Sequence, residues 1–240
     1  MSKLPHYKKI ILKLSGEALL GERGYGVDFK VLDDISRQVV ILHNKGIEIG
    51  IVIGGGNIFR GIEGEEYHID RATADYMGMI ATVINALALQ SILIEKGIDA
   101  RVMSSLSLLE VVEPYIRAKA LSHFDKKRVI IFAGGTGLPF FTTDTTAALR
   151  AIEVNADAIF KATKVDAIYT ADPLKNKKAK RYDTISYTEF LSKNLKAMDA
   201  TAVSLCRDYK VPIILFSIKG ENSLLKAVLE GDIGTTIKGG

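Results

Sequence analysis

One stretch of the sequence indicates the fold most directly, the apolar run and triple glycine Ile49-Gly50-Ile51-Val52-Ile53-Gly54-Gly55-Gly56-Asn57. A short, continuously apolar run is typical of a strand that is buried on both faces of a parallel sheet. Two further apolar runs, at residues 10–12 and 129–132, lead into the glycine turns Lys13-Leu14-Ser15-Gly16 and Gly134-Gly135-Thr136-Gly137. Such turns leave backbone N–H groups free to approach an anion. Three of them predict a site that holds several phosphates.

Strand-like and helix-like segments alternate along the whole chain. Strands are predicted at residues 10–12, 47–53, 100–103, 128–132, 158–162, 212–216 and 235–237. Helices are predicted at residues 29–44, 72–96, 109–123, 144–155, 187–192, 199–208 and 223–230. This alternation predicts an α/β fold with a mostly parallel sheet, helices on both faces, and ligands at the carboxyl ends of the strands. No linker or repeat interrupts the pattern, so we expect a single domain over residues 1–240.

Composition narrows the class of protein. The 240 residues are 48% hydrophobic and 25% charged, which is enough apolar material for one large core. The formal net charge of +4 is mild and does not indicate nucleic-acid binding. Cys206 is the only cysteine, so an intrachain disulfide is excluded. The first residues lack the apolar stretch of a signal peptide, and we expect a cytoplasmic protein.

One helical segment is unusually apolar. Residues 76–94 contain no charged side chain and are about long enough to span a bilayer, but Asp75 and Glu95 flank them closely. A helix this apolar in a soluble chain is buried, either by its own core or by another subunit. We favour burial by another subunit and do not expect a membrane partner.

The residues that remain after a motif search suit phosphoryl transfer. P-loop, Rossmann, C-x-x-C and paired-histidine metal motifs are all absent. Phosphoryl transfer needs positive charge, aligned N–H donors and a divalent metal. Lys13 lies at the end of the first predicted strand, where it either contacts phosphates or points into solvent. Arg60 follows the triple glycine and could form paired hydrogen bonds to phosphate oxygens. Asp75, Asp144 and the hydroxyls of residues 142–146 lie near helix starts, where each either contacts a ligand or caps a helix.

Five sequence blocks closely resemble those of bacterial UMP kinases and occur in the same order. They are KLSGEAL (13–19), IGGGNIFRG (53–61), DRATADYMGM (70–79), TGLPFFTTD (136–144) and ATKVDAIYTADP (162–173). The likeness covers residues 7–237. It implies the amino acid kinase fold, an α/β/α sandwich, and transfer of the γ-phosphoryl group of ATP to UMP, which gives UDP and ADP in pyrimidine nucleotide biosynthesis.

The resemblance also implies roles for individual residues. ATP would contact Lys13, Leu14, Ser15, Gly16, Gly56, Arg60, Thr163, Tyr169 and Asp172. UMP would contact Gly55, Asp75, Thr136, Gly137, Leu138, Pro139, Phe140, Phe141, Thr142 and Thr143. Lys13 and Arg60 would be catalytic, together with Asp144, which resembles the aspartate that organises the catalytic lysines in the wider fold. Lys161 and Lys164 are further basic candidates. Leu138 and Ala167 depart from the family, where many members have asparagine and glycine.

The same resemblance implies cofactors and partners. Mg²⁺ would arrive with ATP, without a direct protein ligand. The expected assembly is a homohexamer, a trimer of dimers, activated by GTP and inhibited by UTP. The stretch that matches the GTP-linked region is Gly21, Glu22, Arg23, Gly24, Tyr25 and Gly26. Two alternatives remain open, a kinase of the same fold that acts on an amino acid carboxylate, and a nucleotide-sensing protein without catalysis.

Overall fold

The computed structural model describes residues 7–59, 68–170, 178–231 and 233–239. The strands are β1 (Lys9–Leu14), β2 (Glu48–Ile53), β3 (Ala100–Ser104), β4 (Glu113–Pro114), β5 (Val129–Ala133), β6 (Ala158–Thr163), β7 (Ile168–Tyr169), β8 (Arg181–Tyr182), β9 (Thr184–Ile185), β10 (Ile213–Ser217) and β11 (Thr235–Ile237). The α-helices are α1 (Phe29–Asn44), α2 (Arg71–Glu95), α3 (Arg117–Asp125), α4 (Thr143–Glu153), α5 (Tyr187–Ser192), α6 (Ala200–Asp208) and α7 (Ser223–Leu229). A short 3₁₀ helix, Gly16–Leu19, follows β1 directly.

A mostly parallel sheet forms the centre of the molecule. Within the described residues it has nine strands in the order β4-β3-β5-β2-β1-β6-β10-β11-β9. Every neighbouring pair is parallel except β10 with β11. Strands β7 and β8 form a separate antiparallel pair. The predicted mostly parallel sheet is confirmed, and the carboxyl ends of β1, β2, β5, β6 and β10 lie along one edge.

Side chains of the central strands alternate between two apolar layers. Ile10 and Leu12 of β1 face the layer that contains residues of α1, α2 and α7. Ile11 faces the opposite layer, which contains residues of α4 and α6. Because successive strand residues point to opposite faces, Lys13 lies on the same face as Ile11. The strand period therefore directs this lysine towards α4.

Polar side chains fix where the main helices begin. Asp70 accepts hydrogen bonds from two backbone N–H groups in the first turn of α2, and Thr142 accepts one at the start of α4. Asp199 caps α6 in the same way. The predicted starts of these helices differ from the observed starts by one residue, as expected when the cap is assigned from sequence.

The predicted helix at residues 109–123 is wrong in its first half. Helix α3 begins only at Arg117, and the preceding residues include β4, which pairs with the end of β3. Pro114 lacks a backbone N–H and disfavours a helix interior, whereas it is tolerated in a short edge strand. Leu109 and Val111 are 66% and 57% exposed, so their apolar spacing does not mark a buried helix face.

The apolar helix α2 has two different faces. Val83, Ala86 and Leu89 are buried against the sheet. The opposite face exposes Tyr76, Met77, Ile80, Ile84 and Ile94 to between 37% and 52%. By length and composition α2 is, among the described residues, the one helix apolar enough to cross a membrane, a test that core helices of soluble proteins also pass. The chain's own core thus covers one side of α2 and leaves an apolar strip on the other.

Candidate functional site

A buried cluster of three charges lies at the edge of the sheet where the parallel strands end. Lys13 of β1 and Lys161 of β6 are direct partners in the strand register. Between them lies Asp144, in the first turn of α4. Its Oδ1 is 2.7 Å from Nζ of Lys13, and its Oδ2 is 2.5 Å from Nζ of Lys161. The exposed fractions are 6%, 9% and 8% for Lys13, Lys161 and Asp144. One carboxylate therefore holds two ammonium groups side by side.

The electrostatics of this cluster favour an incoming anion. Burial alone would raise the pKa of Asp144, but the charges of Lys13 and Lys161 outweigh it and lower that pKa to about 2. Burial lowers the pKa of Lys161, and Lys13 adds to this, while Asp144 opposes it. With Asp144 ionised, the two lysines leave a net positive charge in a site of low solvent exposure. Such a charge stabilises a polyanion more strongly there than in water.

Asp199 supports the cluster from α6 and was missed by the sequence analysis. Its backbone N–H donates to Oδ2 of Asp144 at 3.2 Å. Its own Oδ2 accepts from the hydroxyls of Thr142 at 2.8 Å and Thr145 at 3.0 Å. The Thr142 hydroxyl is thus used inside the protein, as a helix cap and as a donor to Asp199. The only sequence signal for Asp199 was its position as the first residue of the helix predicted at 199–208.

In chain order, the glycine turns are the first (residues 13–16), the second (residues 54–57) and the third (residues 134–137). The first and second turns contact each other through their backbones. The N–H of Gly54 donates to the carbonyl of Leu14 at 2.9 Å. A Cβ on Gly16 would lie 2.5 Å from the backbone nitrogen of Gly56 and 2.6 Å from Oδ1 of Asn57. Any side chain at position 16 would therefore separate the two turns. This close approach places both sets of backbone N–H groups at the end of β1, next to Lys13.

A cavity of about 140 Å³ opens beside the second and third turns. Its lining comprises Gly55, Gly56, Phe59, Ala74, Asp75, Gly78, Met79, Thr82, Gly135, Leu138, Phe141 and Thr143. Of the predicted UMP residues, Gly55, Asp75, Leu138, Phe141 and Thr143 line it. The lining does not include Thr136, Gly137, Pro139, Phe140 and Thr142. Four other α2 residues in this wall were not predicted, namely Ala74, Gly78, Met79 and Thr82. The last three follow Asp75 by three, four and seven positions, on one helix face.

Asp75 anchors the loop that closes this cavity. Its Oδ2 accepts the backbone N–H of Phe140 at 2.7 Å, and its Oδ1 accepts from Nε of Arg71 at 3.0 Å. Asp75 lies in the second turn of α2, whose cap is Asp70, and Thr142 is the residue that caps α4. The alternative that Asp75 and Asp144 are helix caps is therefore wrong. Both carboxylates instead hold other parts of the site.

The predicted ATP side is only partly described. Arg60 and Asp172 lie outside the described residues. The hydroxyl of Tyr169 donates to Asp166 at 2.9 Å, and Asp166 lines a second cavity of about 270 Å³ together with Ser217 and Lys219. The Thr163 hydroxyl turns back to the Val165 carbonyl at 2.6 Å. Leu14 is buried in the core, so only its backbone is available to a ligand.

Two other predicted elements, Lys164 and the stretch 21–26, lie outside the Lys13–Asp144–Lys161 cluster. Lys164 forms an exposed ion pair with Glu17 at 3.0 Å, apart from the Lys13–Asp144–Lys161 cluster. Gly26, at the end of the predicted GTP-linked stretch, donates its N–H to the carbonyl of Asn57 at 2.8 Å. Tyr25 is 68% exposed. The stretch 21–26 thus contacts the second glycine turn at one end and faces solvent with an aromatic ring.

Comparison with known proteins gives a consistent result. The model of the amino acid kinase family matches residues 8–217. The structure is similar to that of UMP kinase from Bacillus anthracis, with a TM-score of 0.94 and 42% identity over 97% of this chain and 96% of the other. UMP kinase from Ureaplasma parvum gives 0.92 and 35%, with 97% and 99% covered. Uridylate kinase from Archaeoglobus fulgidus gives 0.74 and 25%, with 95% and 99% covered.

These matches span nearly the whole chain, and they agree with the parallel sheet and with the glycine turns at the carboxyl ends of its strands. The chain belongs to the amino acid kinase family.

Proposed function

We propose that this protein is an ATP-dependent UMP kinase, which transfers the γ-phosphoryl group of ATP to UMP and releases UDP and ADP. The observation that carries the proposal is the buried Lys13–Asp144–Lys161 cluster beside a cavity whose wall includes Gly56 and Thr143. Thr143 precedes Asp144 in the chain, and Gly56 packs against the turn that follows Lys13. An acceptor phosphate in the cavity would therefore meet a donor phosphate close to the two lysines.

The chemistry of this transfer needs no general base. The second pKa of a phosphate monoester is about 6, so UMP presents an anionic nucleophile at neutral pH. The main obstacle is repulsion between the two anions. Lys13 and Lys161 offset that repulsion, and Asp144 keeps both ammonium groups in fixed positions. Backbone N–H groups of the first two glycine turns complete the anion site.

The cavity suits a nucleotide acceptor better than an amino acid. Phe141 and Leu138 supply apolar surface for a flat base, and Asp75 holds the loop that carries them. We propose that the loop residues 136–143, together with Gly55 and Asp75, hold UMP. ATP is assigned to the first turn, Gly56, Arg60, Thr163, Tyr169 and Asp172.

Mg²⁺ is proposed to arrive with ATP. Among the described residues there is no group of three histidine, cysteine, aspartate or glutamate side chains that suits a metal. The phosphates are the hard oxygen ligands that Mg²⁺ prefers, with few or no protein ligands needed. The ion would neutralise charge on the transferring group. The protein side chains position the two nucleotides.

We propose a cytoplasmic homohexamer, a trimer of dimers, in which the exposed strip of α2 forms a subunit contact. The strip is contiguous along the helix at Tyr76, Met77, Ile80 and Ile84. The single domain 1–240 would use its N-terminal part mainly for UMP and subunit contacts, and its C-terminal part mainly for ATP.

We also propose activation by GTP and inhibition by UTP. UTP can overlap the UMP cavity and reach the phosphate region, whereas GTP needs a separate site that acts through residues 21–26. GTP titration of the wild type and an Arg23→Ala/Tyr25→Ala double variant, at subsaturating substrate, tests this loop. A reduced response in the double variant supports its role. Equal responses exclude the loop, and no response in either protein excludes the GTP switch.

The proposed reaction is tested by a coupled assay of ADP release with UMP, CMP, glutamate and aspartate as acceptors. We expect turnover with UMP far above the other three. Turnover with glutamate or aspartate alone would favour the amino acid kinase alternative. Binding of nucleotides without ADP release from any acceptor would favour the non-catalytic alternative.

A further inference from the structure

We propose that Asn57 and Asn85 form a buried amide pair that positions the second glycine turn for phosphoryl transfer. Both are positioning residues, and neither lines the cavity described above. The inference rests on the proposed kinase function, because it assigns these residues to the phosphate side of that site.

The two side-chain amides bond to each other reciprocally. Nδ2 of Asn57 donates to Oδ1 of Asn85 at 3.0 Å, and Nδ2 of Asn85 donates to Oδ1 of Asn57 at 2.8 Å. Each amide also uses its second N–H on a backbone carbonyl. Asn85 donates to Gly54 at 2.7 Å, and Asn57 donates to Gly26 at 2.9 Å. All four N–H groups of the pair therefore have partners.

The pair is fully enclosed. Asn85 is 0% exposed and Asn57 is 3% exposed. Two primary amides rarely occupy such a position unless their hydrogen bonds are satisfied. Removing either amide leaves the other with an unpaired donor and an unpaired acceptor, away from water. The geometry of the two residues is thus mutually dependent.

The pair connects three segments that converge at the phosphate side. Asn85 belongs to α2, Asn57 ends the second glycine turn, and Gly26 ends the stretch 21–26. The Asn57 carbonyl also accepts the Gly26 N–H, so the stretch is bonded to Asn57 twice. Oδ1 of Asn57 lies where a Cβ on Gly16 would be 2.6 Å away, which brings the first turn into the same contact. A shift of Asn57 would move the backbone N–H groups that surround the donor phosphates.

The α2 helix holds the third turn separately. The hydroxyl of Thr82 accepts the N–H of Gly134 at 2.8 Å. The loop of residues 136–143, which follows the third turn, is held by Asp75, also on α2. The amide pair and these two contacts are independent attachments of one helix to two sides of the site. The second turn also contributes Gly55 to the UMP cavity. Because Thr82 and Asp75 still hold the third turn and the loop of residues 136–143, loss of the amide pair should affect the ATP side more than the UMP side.

The test compares Asn85→Ala with the matched control Gln90→Ala. Gln90 lies on the same helix, and its side-chain amide donates to the Ala100 carbonyl at 3.0 Å, away from the glycine turns. We expect Asn85→Ala to lower kcat and to raise KM for ATP, so that kcat/KM for ATP falls by about tenfold to a hundredfold. KM for UMP should change less. Gln90→Ala should keep both kinetic constants within about twofold, although it also loses a side-chain hydrogen bond to the backbone, one that is partly buried.

Two measurements separate positioning from general loss of stability. Amide hydrogen exchange at Gly26 and Gly54 should speed up by at least about tenfold in Asn85→Ala and stay unchanged in Gln90→Ala. The Asn57→Ala/Asn85→Ala double variant should lose little more activity than either single variant, because the pair acts as a unit. If Asn85→Ala does not fold, Asn85→Ser replaces it. Serine is smaller than asparagine but has a hydroxyl, so it leaves fewer buried polar groups unpaired than alanine does.

The proposal is overturned if folded Asn85→Ala keeps wild-type kinetics, or if Gln90→Ala loses activity to the same extent. It is also overturned if exchange at Gly26 and Gly54 is unchanged. Failure of the wild type to convert UMP would reject the proposed function instead. In that case, the affinity for ADP and the exchange rates still decide whether the pair positions the turn.

Discussion

Replacement of Asp144 by asparagine gives the most informative single perturbation of this protein. The asparagine amide keeps the shape of the carboxylate but loses its charge. Its oxygen can accept from one lysine, while its NH₂ group faces the ammonium of the other at a site where the present distances are 2.7 Å and 2.5 Å. Lys13 and Lys161 would then repel each other without a counter-ion, in a region where less than a tenth of each residue is exposed.

The expected size of the effect follows from burial and from the pKa. Breaking a buried ion pair on one side costs about 3–5 kcal/mol of stability. Independently, the pKa of Asp144 falls from 3.8 to about 2, which corresponds to about 2 kcal/mol of stabilisation from the ionised form. We therefore expect Asp144→Asn to lower the free energy of unfolding by about 2–4 kcal/mol. Loss of ordered positive charge at the transferring group should lower kcat by about 10²–10³.

Urea unfolding and the coupled ADP-release assay measure these two effects. A matched control is Asp208→Asn, since Asp208 forms an exposed ion pair with its neighbour Arg207 at 3.2 Å. Exposed pairs contribute little, so this control should change stability by less than about 1 kcal/mol and leave kcat unchanged. A folded Asp144→Asn variant with kcat within about threefold of the wild type would refute the role of the cluster.

Three other predictions follow from the same contacts. Lys13→Ala should lower kcat by about 10²–10³ with little change in melting temperature, because Asp144 keeps Lys161 as a partner; a near-normal kcat would exclude Lys13 from the chemistry. Asp75→Ala should raise KM for UMP more than KM for ATP, and more than Asp75→Asn does, because asparagine still accepts the N–H that fixes the loop; equal KM changes for both nucleotides would contradict this. An Ile80→Glu/Ile84→Glu variant should form smaller particles in light scattering, because charge on the apolar strip of α2 opposes association; an unchanged mass would place the subunit contact elsewhere.

The pH dependence of stability has a defined sign. The pKa of Asp144 is lower in the folded state, so its contribution is complete above about pH 4 and is lost as the pH falls towards about 2. Acid titration of the wild type should show this loss. The Asp144→Asn variant should lack that part of the transition, because it has no carboxylate to protonate there.

Much of the sheet was readable from sequence because its signals are local. Continuous apolar runs marked the central strands, and the glycines after them marked the turns. The helix at residues 109–123 was wrongly predicted because the spacing of its apolar residues resembles a helix face. Two of these residues are exposed, and Pro114 lies in the short strand β4. The short strands β4, β7, β8 and β9 were missed, since two residues give no periodic pattern.

The site was predictable in its residue types but not in its partners. Lys13, Lys161 and Asp144 could each be singled out, yet their meeting depends on the register of β1 with β6 and on the approach of α4. Asp75 could be placed near a helix start, but the Phe140 N–H that it binds lies 65 positions away in the chain. Asn57 and Asn85 likewise meet only in the folded molecule. Contacts between residues so far apart in the chain produce no regular spacing in the sequence, so they could not be predicted from it.

The proposed transfer at the Lys13–Asp144–Lys161 cluster is tested most directly by following the phosphoryl group itself. Wild-type protein and the Asp144→Asn variant are incubated with Mg²⁺, UMP and ATP labelled in its γ-phosphate, and the labelled products are separated. We expect label to move from ATP into UDP with the wild type, and the rate to fall by about 10²–10³ in the variant. Labelled inorganic phosphate without labelled UDP, or transfer at the wild-type rate in the variant, would contradict this expectation.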